Sequence, residues 1–269
     1  MKTVAIIQGR MSSSRLPGKI LTDISSQPML TRVMIRASRA TTLDQIIFAT
    51  TTDASDDPVA EYCDLAGLDY TRGSLFDVLD RYYQTATQFK ADIVVRITAD
   101  CPVIDPDLID DVVNTLLEDE YDFVCNRLPP PYNRTYPIGL DVEACTFKVL
   151  KKAWKDAKEP QHREHVMPYF YEGVQLSVIS RQLSEGVSPR GFKVALLNHV
   201  TDFNDYRWTV DTPEDLEFMR EVYKHFDGRD DFSWKEVLDL VHDNPELMKI
   251  NSGVQHKTLK DIDKRALKR

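Results

Sequence analysis

The chain has 269 residues, of which 42% are hydrophobic and 29% charged, and α/β proteins commonly fill this length as one domain. Its formal net charge of −9 disfavours nucleic-acid binding, although a local cationic pocket can still hold a small anion. Four widely spaced cysteines without metal-ligand spacing, and the lack of a long apolar run or a targeting segment in the sequence, lead us to expect reduced thiols in a soluble, cytoplasmic protein with no membrane partner.

The first half of the chain alternates short β-branched runs with longer amphipathic stretches. The predicted strands are 3–8, 45–51, 93–97 and 123–125. The predicted helices are 28–40, 57–66, 75–89 and one that begins at Pro106. This alternation predicts an α/β fold, with a Rossmann-like, mostly parallel sheet and helices on both faces.

A proline-rich segment, 126–137, interrupts the alternation, because proline cannot donate a ladder hydrogen bond. Beyond it we predict strands at 139–145, 175–180, 193–198 and 207–210, and helices at 147–157 and 162–171. A further helix begins at Pro213 with Thr212 as its N-cap, and from 232 onward come two short helices and a basic tail, 257–269, that is either solvated or docks in an oligomer. The predicted organisation is a main domain over 1–226, with an irregular insert at about 127–200, and a helical extension over 227–269.

The most informative segment is GRMSSSRLPGK at 9–19, here called the serine loop, which directly follows the first predicted strand. It combines three cations, three hydroxyls and two glycines. A triphosphate needs backbone N–H groups that approach closely and fixed positive charge, so Arg10, Arg15 and Lys19 are candidate phosphate contacts. The competing interpretation is an ordinary polar surface loop.

Two familiar phosphate-binding loops do not match this segment. A P-loop needs glycine where Ser13 stands and a hydroxyl residue where Ile20 follows Lys19. A dinucleotide fingerprint needs glycine where Met11 and Ser14 stand.

The serine loop resembles the signature loop of the cytidylyltransferases that activate sugar acids, the CMP-Kdo and CMP-sialic acid synthetases. The resemblance is greatest to the spore coat polysaccharide biosynthesis protein F family. It continues through an ordered series of segments that covers nearly the whole chain: ATTTDASDD, RGSLFDVLDRYY, VVRITADCPVIDP, YPIGLDVE, HREHVMPYFY, RWTVDTPEDLE and NPELMKINS.

The resemblance implies both an activity and an architecture. It implies a fold of the nucleotide-diphospho-sugar transferase type, with the nucleotidyltransferase domain at 1–226 and an acceptor and dimerisation insert. The implied reaction is a Mg²⁺-dependent transfer of CMP from CTP to a sugar acid or related surface-polysaccharide sugar, with release of pyrophosphate, by a homodimer. A sugar-1-phosphate nucleotidyltransferase, a glycosyltransferase of related fold and a catalytically silent nucleotide-binding module are the alternatives.

Two aspartates are the candidate metal ligands. Asp100 follows the predicted strand VVRIT and Asp211 follows RWTV, and both resemble metal-binding aspartates of the family. Carboxylate oxygens suit Mg²⁺, which neutralises phosphate charge, while helix capping or solvation of a strand end is the competing interpretation. Together with Arg10 and Lys19, these aspartates are the predicted catalytic residues.

The predicted nucleotide contacts lie in and around the serine loop and, by resemblance, in the turn 72–74. They are Gln8, Gly9, Arg10, Ser12, Ser13, Ser14, Arg15, Lys19, Arg72, Gly73, Ser74 and Thr98.

The predicted acceptor contacts come from later segments. Asp141 and Glu143 alternate with Val142, so on a strand both acids would face one side, and Asp141 is a weak candidate for a general base. Arg163 suits a carboxylate or phosphate, with a surface ion pair to a glutamate as the competing interpretation, and His165 is either a ligand contact or a buried helix residue. The full acceptor set is Arg96, Asn126, Asp141, Glu143, Arg163 and His165.

The chain departs from the CMP-Kdo synthetases at two places. It has RGSLFDVLDR where they carry an SGTDR-like segment, and Arg96 and Thr98 stand where they carry asparagine and glutamine. These departures leave the identity of the acceptor open.

Overall fold

A mixed nine-stranded sheet dominates the computed structural model, which describes residues 1–255. The strands are β1 (Thr3–Gln8), β2 (Asp23–Ile24), β3 (Gln27–Pro28), β4 (Gln45–Thr51), β5 (Tyr70–Gly73), β6 (Ile93–Thr98), β7 (Phe123–Cys125), β8 (Glu143–Thr146), β9 (Ser177–Val178), β10 (Leu183–Val187) and β11 (Lys193–Leu197). The helices are α1 (Met29–Ala37), α2 (Asp57–Ala66), α3 (Val78–Gln88), α4 (Pro106–Glu118), α5 (Phe147–Asp156), α6 (Pro160–His165), α7 (Pro168–Tyr171), α8 (Pro213–His225), α9 (Trp234–Asp243) and α10 (Glu246–Asn251). The predicted basic tail, 257–269, lies outside the described residues.

The strand order places β1 well inside the sheet. The order is β5-β4-β1-β6-β8-β7-β11-β10-β9, with β2 and β3 forming a separate small hairpin. β1 pairs in parallel with both β4 and β6, and Gln8 at its end lies opposite Thr98 at the end of β6. Ligands of open α/β sheets bind where such parallel strands end, so the serine loop and the segment after β6 emerge at the expected edge.

Side chains of β1 alternate between two hydrophobic cores. Ala5 and Ile7 pack on one face with α1, α4, α8 and α9, whereas Val4 and Ile6 pack on the other face with α3 and α5. The predicted α/β fold with helices on both faces is therefore confirmed. The four cysteines are free and buried.

Several predicted elements differ from the structure. The single helix predicted at 162–171 is wrong, because Val166 adopts a φ of 68° and separates α6 from α7. The predicted strand 207–210 forms only one isolated bridge, between Ile138 and Arg207, since the amide of Val210 instead donates to the carbonyl of Asp100 (2.8 Å). Of the strand predicted at 175–180, only the two residues of β9 form a strand.

Other boundaries moved because of local chemistry. The short strands β5 and β10 were missed, since YTRG and LSEGV lack an apolar run. The helix predicted from 75 begins at Val78, because the Asp77 side chain caps it by accepting from the amide of Asp80. Asp141 precedes β8 instead of lying on it, so the predicted strand carries only Glu143 of the two acids. Within residues 1–255, no helix has both the length and the apolar character needed to cross a bilayer.

Candidate active site

The serine loop is held against the sheet by a buried carboxylate. The amide of Met11 donates to Asp56 Oδ1 (2.7 Å), and the other oxygen of Asp56 accepts from the Thr50 hydroxyl and the Thr51 amide. Inside the loop, the amide of Gly18 donates to the carbonyl of Met11 (2.8 Å). Asp56 was not predicted as a site residue, although it lies in the segment ATTTDASDD. It fixes the position of the loop.

Glycine is required where the loop leaves β1. A Cβ on Gly9 would lie 2.8 Å from Ala99 Cβ, at the start of the segment that follows β6. Two neighbouring strand ends therefore approach each other closely at this edge.

The structure brings Lys19, Asp100 and Asp211 together. Lys19 Nζ donates to Asp100 Oδ2 (2.6 Å), to Asp211 Oδ1 (2.9 Å) and to the carbonyl of Val210 (2.8 Å). The lysine side chain is 9% exposed and the two carboxylates 25% and 18%, so the ion pairs are shielded on the protein side and open toward solvent on the other. Asp100 and Asp211, which follow Lys19 in the sequence by 81 and 192 positions, thus meet at its ammonium group.

The charges at this edge stabilise one another. Burial alone would lower the pKa of Lys19, but the charges of Asp100 and Asp211 outweigh it and raise that pKa above its usual value. Burial alone would raise the pKa of Asp211, but Lys19, Arg15 and Arg207 hold it well below its usual range. When ionised, both aspartates present carboxylate oxygens that can coordinate a cation.

A buried network supports Asp211 from behind. Arg207 donates to both oxygens of Asp215 (2.9 and 3.0 Å) and also to Asp211 Oδ2 (3.0 Å). Asp215, fully buried, also accepts from the amides of Asp211 and Thr212. Asn251 of α10 donates to Asp215 Oδ1 (3.0 Å) and to the carbonyl of Arg207 (2.9 Å).

None of these three supporting residues was predicted. Their signals were the spacing of Thr212 and Asp215, which form a capping box at the start of α8, and the segment NPELMKINS.

Two adjoining clefts open at this edge of the sheet. The first, the loop cleft, is lined by Gln8, Gly9, Arg10, Ser13, Ser14, Arg15, Lys19, Ile20, Thr98, Ala99, Asp100 and Asp211. The second, the arginine pocket, is lined by Gln8, Arg10, Leu75, Phe76, Val78, Arg81, Arg96, Glu164 and His165. Gln8 and Arg10 line both, so the two clefts are neighbours.

Most of the predicted nucleotide contacts therefore line the loop cleft, and the predicted acceptor residues Arg96 and His165 line the arginine pocket. Arg81 lines that pocket and was not predicted. Its signal was a charged residue on the buried face of an amphipathic helix.

Three predicted nucleotide-binding side chains do not line the loop cleft. Arg72 donates to the carbonyl of Thr51 (2.8 Å) and pairs with Asp57. The Ser74 hydroxyl accepts from the amide of Asp77 (3.0 Å), and the hydroxyl of Ser12 is buried and does not line the loop cleft. The structure thus does not bring Arg72, Ser12 or Ser74 to either cleft.

Two of the predicted acceptor-binding residues also have partners within the protein. Arg163 pairs with Asp77 through two nitrogens and donates to the carbonyl of Trp154, so its partner is an aspartate and not the glutamate considered from sequence. Asn126 uses both ends of its amide on the backbone of Leu140 and Val142.

The two acids of the segment DVE are also neutralised. Glu143 pairs with Arg96, and Asp141 is held by a bidentate pair with Arg134 (2.5 and 2.9 Å). Neither acid lines either cleft.

Known proteins resemble the chain over most of its length. The family model described as "Cytidylyltransferase" matches residues 4–236. The spore coat polysaccharide biosynthesis protein SpsF of Bacillus subtilis is 29% identical, over 90% of this chain and 94% of its own. A 3-deoxy-manno-octulosonate cytidylyltransferase of Geobacter metallireducens is 35% identical, over 84% of this chain and 99% of its own. Among solved structures, a cytidylyltransferase from Leptospira borgpetersenii superposes with a TM-score of 0.82 at 29% identity, over 95% of this chain and 100% of that one.

Proposed function

This chain belongs to the cytidylyltransferase family, and from that premise we propose that it transfers CMP from CTP to a sugar acid or a related surface-polysaccharide sugar, with release of pyrophosphate. The observation that carries the proposal is the contact of Lys19 with both Asp100 and Asp211 at the rim of the serine loop. A lysine beside two carboxylates supplies both charges that transfer at a triphosphate requires: positive charge for the phosphates and ligands for a cation.

The loop cleft would bind the triphosphate. Arg10, Arg15 and Lys19 line it together with Ser13 and Ser14, so cations and hydroxyl donors converge on one anion. Because the Met11 amide is fixed by Asp56, the loop is organised before the substrate arrives, which lowers the cost of ordering it on binding.

Asp100 and Asp211 would hold Mg²⁺. Within residues 1–255, no group of three or more His, Cys, Asp or Glu side chains is arranged to hold a metal. Two carboxylates do fit Mg²⁺, which usually takes one or two protein carboxylates together with substrate phosphates. When bound, the ion would neutralise phosphate charge and stabilise the leaving pyrophosphate.

The reaction we propose is an in-line displacement. A hydroxyl oxygen of the acceptor forms a bond to the α-phosphorus while the bond from that phosphorus to the bridging oxygen of the β-phosphate breaks, and the hydroxyl proton passes to water. Arg10 and Lys19 stabilise the charge that develops on the phosphate oxygens, so the chain contributes mainly positioning and electrostatics. Asp141 is ill-suited to act as a general base, because both of its oxygens accept hydrogen bonds from Arg134 and its side chain lines neither cleft.

Pyrophosphate release tests the proposal. The wild-type protein, each of the four NTPs and Mg²⁺ are incubated with a panel of sugar acids and sugar phosphates, and pyrophosphate is measured with a coupled assay. We expect release with CTP and at least one acceptor, and a loss of at least about a hundredfold in Asp100→Asn and Asp211→Asn. Far-ultraviolet circular dichroism checks that both variants remain folded.

The alternatives predict different results. A glycosyltransferase would release no pyrophosphate from any NTP, and a silent module would bind nucleotide without turnover. Turnover with sugar 1-phosphates alone would indicate a sugar-1-phosphate nucleotidyltransferase. Near-normal turnover in both aspartate variants would refute the proposed metal site. The homodimer stays a prediction, to be checked by light scattering.

A further inference from the structure

Arg81 is a buried cation with most of its hydrogen-bonding capacity unused. It lies on α3 and is 1% exposed, and its Nη1 donates to the carbonyl of Ser74 (2.7 Å). Its Nε and Nη2 are buried and find no hydrogen-bond partner among residues 1–255. A guanidinium in this state is costly, because buried charges are normally paired and fully hydrogen-bonded.

The fold nevertheless forces the guanidinium into this place. A Cβ on Gly73 would lie 3.1 Å from Arg81 Cγ, so the absence of a side chain at the end of β5 is what leaves room for the arginine stem. Val78, one turn earlier on α3, lines the same pocket. Strand end and helix together direct Arg81 into the arginine pocket.

The surroundings of Arg81 favour an anion. Arg10 and Arg96 line the same pocket, whose lining contains a single carboxylate among the described residues, that of Glu164. Arg96 is already neutralised by Glu143. Burial lowers the pKa of Arg81 to about 10, and the charge of Arg10 acts in the same direction, while the more distant carboxylates of Asp56 and Asp77, which make no hydrogen bond to the guanidinium, only partly offset it.

The anion is distinct from the triphosphate by position. Lys19, Asp100 and Asp211 line the loop cleft and not the arginine pocket, while Arg81, Arg96 and His165 line the arginine pocket and not the loop cleft. Arg10 lies on the boundary. A second anionic group can therefore enter beside a triphosphate that is bound along the serine loop.

We infer that Arg81 binds the anionic group of the acceptor, a carboxylate or a phosphate, through its two unused nitrogens in the arginine pocket. This inference rests on the proposed function, since it assigns the second substrate of that reaction to the pocket adjoining the loop cleft. A planar guanidinium with two free N–H groups matches either oxyanion in a bidentate geometry. Arg81 would then select acceptors that carry such a group against neutral sugars.

Binding measurements test this inference independently of turnover. The full-length protein is saturated with CTP without divalent cations, and is titrated calorimetrically with 3-deoxy-manno-octulosonate and, separately, with inorganic phosphate. We expect at least one probe to bind, and Arg81→Met to weaken that binding by at least about tenfold, the value of hydrogen bonds to a charged group. Arg81→Lys, which keeps the charge without the planar fork, should recover only part of the loss.

Two controls complete the design. Arg220→Met removes an exposed arginine of α8 and should leave probe binding unchanged. The affinity for CTP alone, measured in each variant, should stay within about twofold of wild type, since Arg81 does not line the loop cleft. Thermal unfolding checks that Arg81→Met is folded, which we expect because the methionine retains the apolar stem.

Three results would overturn the inference. They are unchanged probe binding in Arg81→Met, no binding of either probe by the CTP-loaded wild type, and a loss of CTP affinity in Arg81→Met with probe affinity intact. The last would assign Arg81 to a nucleotide phosphate. Failure of the proposed function gives a different signature, namely a wild-type protein that releases no pyrophosphate with any NTP and acceptor.

Discussion

Replacing Lys19 by methionine should destabilise the protein and at the same time open its two aspartates to a divalent cation. The lysine ammonium donates to both Asp100 and Asp211, and methionine fills much of the same volume without the charge. The two carboxylates of the variant would face each other without the ammonium between them. Mg²⁺ bound between the two carboxylates would then reduce their repulsion.

The magnitude follows from the burial of the three groups. Removing one partner of a fully buried ion pair costs about 3–5 kcal/mol. Here the carboxylates are 25% and 18% exposed, and Arg15 and Arg207 still pair with Asp211, so we expect a loss of about 2–3 kcal/mol in the free energy of unfolding. A Mg²⁺ concentration a hundred times its Kd would return about 2.7 kcal/mol.

Urea unfolding followed by circular dichroism, with and without MgCl₂ and without nucleotide, measures both effects. Mg²⁺ should stabilise Lys19→Met by more than it stabilises wild type, because in wild type the ammonium competes for the same oxygens. The matched control is the double variant Lys19→Met/Asp211→Asn, which should lose most of the Mg²⁺ effect. A stability of Lys19→Met within about 0.5 kcal/mol of wild type, or an equal Mg²⁺ effect in the double variant, would refute the reasoning.

Three further predictions concern the support of the site. Asp215→Ala should lower the free energy of unfolding by about 3–5 kcal/mol, because it removes the buried carboxylate that accepts two hydrogen bonds from Arg207. Asn251→Ala should lower it by about 1–3 kcal/mol, and urea unfolding measures both effects. Asp56→Asn should weaken CTP binding about tenfold, because an amide nitrogen replaces an oxygen that accepts from the serine loop or from β4. Calorimetry measures this affinity, and an unchanged value would contradict the role of Asp56. The pKa of Asp211 is lower in the folded protein than in the unfolded chain, where it is about 4, so the stability that its ionised form provides is present above about pH 4 and is lost as the pH falls through the folded pKa. In acid, the free energy of unfolding of Asp211→Asn should therefore change less with pH than that of wild type.

The parallel half of the fold was predictable because its signals are local. β1, β4 and β6 are short apolar runs, and their alternation with amphipathic helices predicts a parallel sheet. The segments that were predicted wrongly depend on distant partners. The segment 207–210 has the composition of a strand, yet its backbone bonds to Ile138 and Asp100 across the strand ends, and no local pattern encodes those contacts.

The candidate site divides along the same line. The serine loop was recognisable from its own residues, since cations, hydroxyls and glycines are concentrated in one turn. The meeting of Asp100 and Asp211 could only be inferred from the family resemblance, because spacing does not show which strand ends are neighbours. The sequence could place Asp215 at the start of a helix, but it could not show that Asp56 and Asp215 hold the site, since a carboxylate buried under backbone amides has the same local sequence as one that only caps a helix or faces solvent.

Side-chain hydrogen bonds connect the residues on the two sides of the boundary predicted at 226. Arg36 of α1 is fully buried, and it donates to the carbonyls of Ile104, Asp230 and Phe232, so the start of the described extension is tied to α1 and to the segment that precedes α4. At the other end, Asn251 reaches the network behind Asp211. Because Asp211 takes its backbone position from Asp215, and Asp215 is held partly by Asn251, the last described helix helps fix a carboxylate at the rim of the loop cleft. The extension therefore contributes to the geometry of the site although none of its described residues lines either cleft.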